Sequence, residues 1–294
     1  MNYYGEERIP LKACLHTHTT HSDGTITPED TIDLYSSRGY GVLALTDHHQ
    51  VHDISQYDPK GMILIQGAEL HPLNPGLPRW HLVALDLPLD FKVLRPFETG
   101  ETAQEVIDAV TAAGGIVSVA HPYWCSYSSA VVAPLEKCFA MEIYNTECEG
   151  IDRAYSLQTW DELLASGKKL PAVAVDDTHH VSSLFGGWTV ICAKERTRAA
   201  VMEALRKGEF YASQGPEFHS ITLEGNTLRA EFTEAVKACF VTKTGGRRFA
   251  LDGRTKPVSA MELDLTDLRT GSNYVRCVIT NAQGRSAWSN PIYI

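Results

Sequence analysis

Cys14-Leu15-His16-Thr17-His18-Thr19-Thr20-His21-Ser22-Asp23-Gly24, followed after a helical segment by Val42-Leu43-Ala44-Leu45-Thr46-Asp47-His48-His49, is the stretch that decides the fold. Two short apolar runs each end in imidazole and carboxylate side chains. Side chains two apart on a strand face the same side, so His16 and His18 can aim at one ion. Between the runs, Thr27 is an N-cap, Pro28 takes the first helical position, acidic residues fill the first turn and Gly39 lies past the end. That predicts a helix from about 28 to 38 and makes the whole a strand-helix-strand unit.

The same grammar repeats downstream. Met62-Ile63-Leu64-Ile65-Gln66 runs into Gly67-Ala68-Glu69, and His81 opens His-Leu-Val-Ala-Leu. His121 closes Ile116-Val117-Ser118-Val119-Ala120, and Asp177-Thr178-His179 closes Pro171-Ala172-Val173-Ala174-Val175. One histidine at a strand end is ordinarily a hydrogen-bonded core or rim residue. Repetition in six segments, with eleven of the twelve histidines before position 181, points instead to metal. Mixed imidazole and carboxylate ligands without cysteine suit zinc, manganese or iron and argue against a structural zinc finger or an iron–sulfur cluster. More than four candidate ligands imply more than one ion.

Further helices are predicted after Thr102, which has capping-box spacing to Glu105 and an apolar stripe at Val106, Ile107 and Val110, and over Asp152 to Ser166 and Thr197 to Lys207. Strands alternating with helices, with ligands at the strands' C-terminal ends, is the pattern of a (β/α) barrel. After Gly215-Pro216 the period changes to two, at Ile221/Leu223, Leu228/Ala230/Phe232, Met261/Leu263/Leu265 and Tyr274/Arg276/Val278. This predicts a small C-terminal antiparallel β-sandwich of immunoglobulin-like type. The expected division is residues 1–215 for the barrel and 216–294 for the sandwich. With His219 as its one candidate ligand, the second unit is expected to serve packing or oligomerisation, and the first to carry the chemistry.

At 294 residues and 44% hydrophobic content the chain can bury one large core and a smaller one. A formal charge of -10 gives no electrostatic footprint for duplex nucleic acid, although bound cations would reverse the field locally. Cysteines at 14, 125, 138, 148, 192, 239 and 277 form no CxxC pair and are odd in number, which fits a reducing cytoplasm better than a disulfide framework. No apolar run is long enough for a membrane span and the opening residues have no signal-peptide character, so no membrane partner is expected. Assembly with further copies of the chain stays open.

These motifs resemble the PHP (polymerase and histidinol phosphatase) superfamily of metal-dependent phosphoesterases. The residues that carry the resemblance are His16-x-His18, Ser22-Asp23-Gly24, Thr46-Asp47-His48-His49, Gly67-x-Glu69, His81, Ala120-His121-Pro122 and Asp177-x-His179. Met141-Glu142-Ile143-Tyr144-Asn145, Gly187-Trp188 and the stretch from Gly208 to Pro216 are similar to the branch that includes carbaryl hydrolases. The resemblance implies a distorted seven-stranded, TIM-like (β/α) barrel and two or three divalent ions. It implies one ion on His16, His18, Glu69 and Asp177, a second on Glu69, His81 and His121, and a third on Asp23, His48 and His179.

Catalytic weight falls on Asp177 and on His49 and His180, each next to an expected ligand and so available as a supporting partner or a proton donor to the leaving group. Asp47 is expected to orient a ligating imidazole, whereas His21, His52 and His71 lie in loops and are expected to be solvated or hydrogen-bonded. Arg79 can share the face of His81 and grip a phosphate with its guanidinium fork. Tyr123 and Trp124 can wall the pocket, and Asn145 is grouped with them as a substrate contact. Glu142 is expected as a buried structural acid.

Water held between divalent ions has its pKa lowered toward roughly 7, which supplies a nucleophile at neutral pH. No Gly-x-Ser-x-Gly elbow or Walker-type loop competes with that chemistry. The expected function is hydrolysis of a small phosphate ester: a nucleotide, nucleotide bisphosphate or sugar phosphate. Hydrolysis of carboxylic esters, carbamates or amides is the alternative. A non-catalytic metal-binding module is a third reading, disfavoured by the intact set of ligands.

Overall fold

The structure, a computed structural model, describes residues 1–92, 101–243, 249–252, 254–268 and 271–294. It is a mixed α/β fold with large sheets and few helices. Strands Ile9–Cys14, Val42–Leu45, Ile63–Leu70, Leu82–Leu85, Ile116–Val119, Cys138–Asn145 and Ala172–Val175 lie side by side in chain order. Neighbours are parallel except at Leu82–Leu85, which is antiparallel to the strands on both sides. The connection explains the exception: residues 71–81 contain Pro72, Pro75 and Pro78 and are too short for the crossover helix that parallel pairing requires. Reversal puts His81, at the start of its strand, at the same edge as the residues that end the others.

The segments that follow the first and last strands of this run also meet. Thr17 and Thr178 form a parallel bridge, with His18 N donating to Thr178 O at 2.9 Å and Asp177 N to His16 O at 3.0 Å. Alternate residues Leu11 and Ala13, Val42 and Ala44, Val83 and Leu85, and Val173 and Val175 converge in one buried apolar cluster. The intervening Leu43 and Leu45 pack outward on Ile32 and Tyr35 of the helix Pro28–Ser37.

That helix starts where predicted, with Thr27 Oγ1 accepting from Asp30 N. Helix Ala103–Ala112 has both arms of the Thr102/Glu105 capping box, and Arg198–Lys207 ends on Gly208 at φ 73°, a left-handed turn that favours glycine. The helix predicted from Asp152 begins only at Leu157. Asn145 N donates to Ala154 O and Ser156 N to Ile143 O, so residues 154–156 belong to the edge of strand Cys138–Asn145 and cannot join the helix.

Strands past residue 209 pair antiparallel with one another. One sheet continues from Trp188–Ala193 through Phe210–Ser213, Ser286–Ser289, Tyr274–Thr280 and Lys237–Thr242 to Phe249–Asp252. A second, five-stranded sheet runs Val258–Asp264, Thr227–Ala235, Phe218–Glu224, Asn2–Tyr3, Glu6–Glu7. Tyr3, Val190, Tyr211, Phe218, Phe232 and Phe240 join one apolar cluster with residues of both sheets. Asn2–Tyr3 pairs in parallel with Phe218–Glu224, so the beginning of the chain is built into the later strands. Among the described residues no helix is long and apolar enough to cross a membrane.

Candidate metal centre

At the shared strand edge, Glu69 is the hub. Its side chain is 1% exposed. Oε2 faces His48 Nδ1 at 2.9 Å, His18 Nε2 at 3.3 Å, His16 Nε2 at 3.5 Å and His71 Nε2 at 3.6 Å. Oε1 faces His81 Nδ1 at 2.7 Å and His121 Nε2 at 3.3 Å. Asp177 approaches from the last strand, its Oδ1 3.2 Å from Nε2 of both His16 and His18. Further out, Asp23 lies 3.3 Å from His48 Nε2 and 3.4 Å from His179 Nε2. The structure thus brings together all nine residues expected as ligands.

The donor set fits divalent ions. Nε2 atoms of His16 and His18 converge to 3.0 Å, close enough to ligate one ion together. Asp177 Oδ1 and His48 Nδ1 are buried and have no hydrogen-bond partner, the orphaned polar atoms that an ion would satisfy. Ligand atoms fall within 4.8 Å of each other in the groups His16/His18/Glu69, Glu69/His81/His121 and His18/Asp23/His48/His179. Burial alone would push the Glu69 carboxyl up, but His81, His16 and His121 outweigh it and hold the group well below the ordinary carboxylate range.

Backbone geometry aims these side chains. His49, His121 and Asp177 have φ of 53°, 24° and 54°, a region that non-glycine residues enter only under constraint and that clusters at functional sites. Gly24 is required for a different reason: a Cβ there would lie 2.6 Å from the backbone carbonyl of His18. The Ser22-Asp23-Gly24 turn can therefore fold tightly over His18.

A layer of hydrogen bonds fixes the ligands. Glu142 Oε1 lies 2.7 Å from His16 Nδ1, while Oε2 accepts from His121 N and Asn145 Nδ2. Asn145 Nδ2 also donates to Asp177 Oδ2 at 3.0 Å, and its carbonyl accepts from Cys148 N. Asn145, expected to touch substrate, is 1% exposed and spends its amide on Glu142 and Asp177. Its donors and its acceptor are thus engaged within the protein. Asp47 acts at one remove: it accepts from Ser22 Oγ at 2.6 Å, and Ser22 Oγ lies 3.4 Å from His18 Nδ1. His52 Nε2 stands 2.9 Å from Asp47 Oδ2, and His71 is drawn into the centre although its loop carries no periodic signal.

His49 packs edge-on to His71 with ring centroids 4.6 Å apart, and burial pushes its pKa down to about 4. His180 is exposed and turns its Nδ1 to Thr25 Oγ1 at 3.3 Å. On the other side Trp124 stands 42% exposed with its ring 5.3 Å from His81 and 5.1 Å from His121. Tyr123, also exposed, lines a groove of about 630 Å³ with Ser126, Arg153, Tyr155, Gln158 and Glu162. Arg79 Nη1 donates to His71 O at 3.3 Å.

Fold and site together define a mixed α/β chain with a buried His/Asp/Glu cluster suited to divalent metal. No protein-family model matches the chain, and no curated protein matches it. Among solved structures, a two-domain protein from Bacteroides vulgatus containing a predicted PHP-like metal-dependent phosphoesterase is similar at TM-score 0.56 and 18% identity, over 98% of this chain and 95% of that one. PsfC from Pseudomonas syringae gives TM-score 0.49 at 14% identity over 69% and 88%. The lesion-specific endonuclease EndoQ from Pyrococcus furiosus gives 0.48 at 14% over 68% and 56%. At such identities the first likeness establishes the fold alone, and the other two, at lower TM-scores, carry no weight.

Proposed function

We propose that this chain is a metal-dependent hydrolase of phosphate esters, acting on a small substrate such as a nucleotide, a nucleotide bisphosphate or a sugar phosphate. One observation carries the reading: Glu69, 1% exposed, has imidazole nitrogens around both oxygens at 2.7 to 3.6 Å, with Asp177 beside them. His16, His18, Glu69 and Asp177 would hold one ion, Glu69, His81 and His121 a second, and Asp23, His48 and His179 a third, with manganese, zinc and iron all compatible with these donors. Divalent ions supply an acidified water and neutralise charge on the phosphoryl oxygens.

The chain's own residues do the rest. Glu142 and Asn145 lock His16 and Asp177. Trp124 shields the His81 and His121 side, and the groove beyond Tyr123 has room for a leaving group. Arg79 grips the phosphate, and His49, His180 and Asp177 complete the catalytic set. The barrel reading of residues 1–215 is supported by the bridge between Thr17 and Thr178, and the sandwich reading of 216–294 by the shared apolar cluster.

Exposure of Trp124 also favours a second reading, hydrolysis of uncharged carboxylic esters, carbamates or amides. Kinetics of Arg79→Ala on matched nitrophenyl phosphate, phosphodiester and carboxylic ester substrates separate the two. A lost charge-assisted hydrogen bond costs about 1.5–3 kcal/mol, so KM for the phosphate is expected to rise roughly 10- to 100-fold while ester turnover stays put. An unchanged phosphate KM removes Arg79 from the account, and ester turnover alone in the wild type replaces the first reading by the second. Glu142→Gln is expected to weaken metal retention about 10- to 100-fold in chelator competition, because the partner of His16 Nδ1 loses its charge.

A further inference from the structure

His71 lies outside the ligand set implied by the resemblance, yet its position is that of a ligand. Its Nε2 is buried, has no hydrogen-bond partner and sits 3.6 Å from Glu69 Oε2, too far for a hydrogen bond. On the same oxygen, His48 presents Nδ1 at 2.9 Å, likewise without a hydrogen-bond partner. Ligand atoms of His48, Glu69 and His71 lie within 4.8 Å of one another. Donors bonded at about 2.0–2.1 Å to a tetrahedral ion stand roughly 3.4 Å apart, and the 2.9 and 3.6 Å separations bracket that value.

Two further observations separate this group from the three already described. His48 turns its other nitrogen, Nε2, to Asp23 at 3.3 Å, so each of its nitrogens faces a different carboxylate. The His71 ring is held on three sides: 3.9 Å from the His81 centroid at 30°, 4.7 Å from His48 at 64° and 4.6 Å from His49 at 86°. Packing of that kind fixes the direction of Nε2 before any ion arrives, which is the preorganisation a metal ligand needs.

We propose that His71 is a metal ligand, completing with Glu69 Oε2 and His48 Nδ1 a coordination set of its own; when the Asp23 set is filled as well, His48 bridges the two as an imidazolate, its ring proton passing to solvent. It rests on the reading of the cluster as a divalent metal site. Because the His71 carbonyl accepts from Arg79 Nη1, one residue then ties the arginine to the ions.

The test is cobalt(II) titration of the full chain, wild type beside His71→Ala and His71→Gln, read by visible d–d absorption and by ions retained after desalting. Circular dichroism checks each fold, and the glutamine variant carries the test if the alanine variant does not fold. The expected result is one ion fewer per chain, or a last ion held more than about 10-fold more weakly, with an altered d–d band in both variants. Unchanged stoichiometry, affinity and spectrum in a variant that folds, beside a wild type that binds cobalt, overturn the assignment of His71 and leave the metal reading intact. A wild type that binds no cobalt overturns both.

Discussion

Glu69→Gln is expected to lower metal-dependent phosphate ester turnover by more than about 100-fold and to reduce the number of ions retained. The magnitude follows from position. Losing a residue that only supports a ligand typically costs about 10- to 100-fold in metal affinity or activity. Glu69 faces six imidazoles directly, and both of its oxygens are engaged. A neutral amide is isosteric and retains one acceptor oxygen, but it removes the charge that divalent ions require and points an NH₂ group at donors. Circular dichroism is expected to match the wild type, so the loss would report on chemistry rather than folding. Turnover within 10-fold of wild type would remove Glu69 from its central place.

Asp176→Ala is expected to destabilise the fold by about 3–5 kcal/mol, read as a shift of the urea unfolding midpoint. Asp176 is fully buried. Its Oδ1 accepts from Thr146 Oγ1, Gly186 N and Gly187 N, and its Oδ2 from Tyr35 OH and Phe185 N. Each buried donor left without an acceptor costs about 1–3 kcal/mol, and relaxation keeps the sum below five times that. Burial pushes the Asp176 carboxyl up, against donors that pull it down. The neutral isostere Asp176→Asn, which keeps an acceptor for the Oδ1 donors, is therefore expected to cost less than the alanine variant. A midpoint in Asp176→Ala equal to the wild type would show that these five bonds are not structural.

Asp176 also shows where sequence reading stops. Adjacent strand-end residues point to opposite sides, so Asp177 enters the centre while Asp176 turns outward to Tyr35 of the helix Pro28–Ser37. Only Asp177 stood in a ligand-like pattern. His16 and His18 were legible because an i, i+2 pair on a strand must converge, and Thr27 with Pro28 marked a helix start by local chemistry alone. The reversal of Leu82–Leu85 was not read from the apolar run, which looks the same in either direction, although the proline-rich link before it held the signal. The place of His71 beside Glu69 was not read, because a loop has no period. Burial of the Asn145 amide against Glu142 and Asp177 was not read from the sequence, because those partners are set by tertiary packing. Pairing of Asn2–Tyr3 with Phe218–Glu224 joins segments more than 200 residues apart, and a two-residue strand carries no periodicity.

If the cluster around Glu69 binds the divalent ions on which phosphate ester hydrolysis depends, turnover follows the metal. Turnover of a nitrophenyl phosphate is to be measured on one preparation as purified, after chelator treatment and desalting, and after manganese is added back. Activity is expected to disappear with the chelator and to return with the metal. Full activity in the metal-free protein would contradict it.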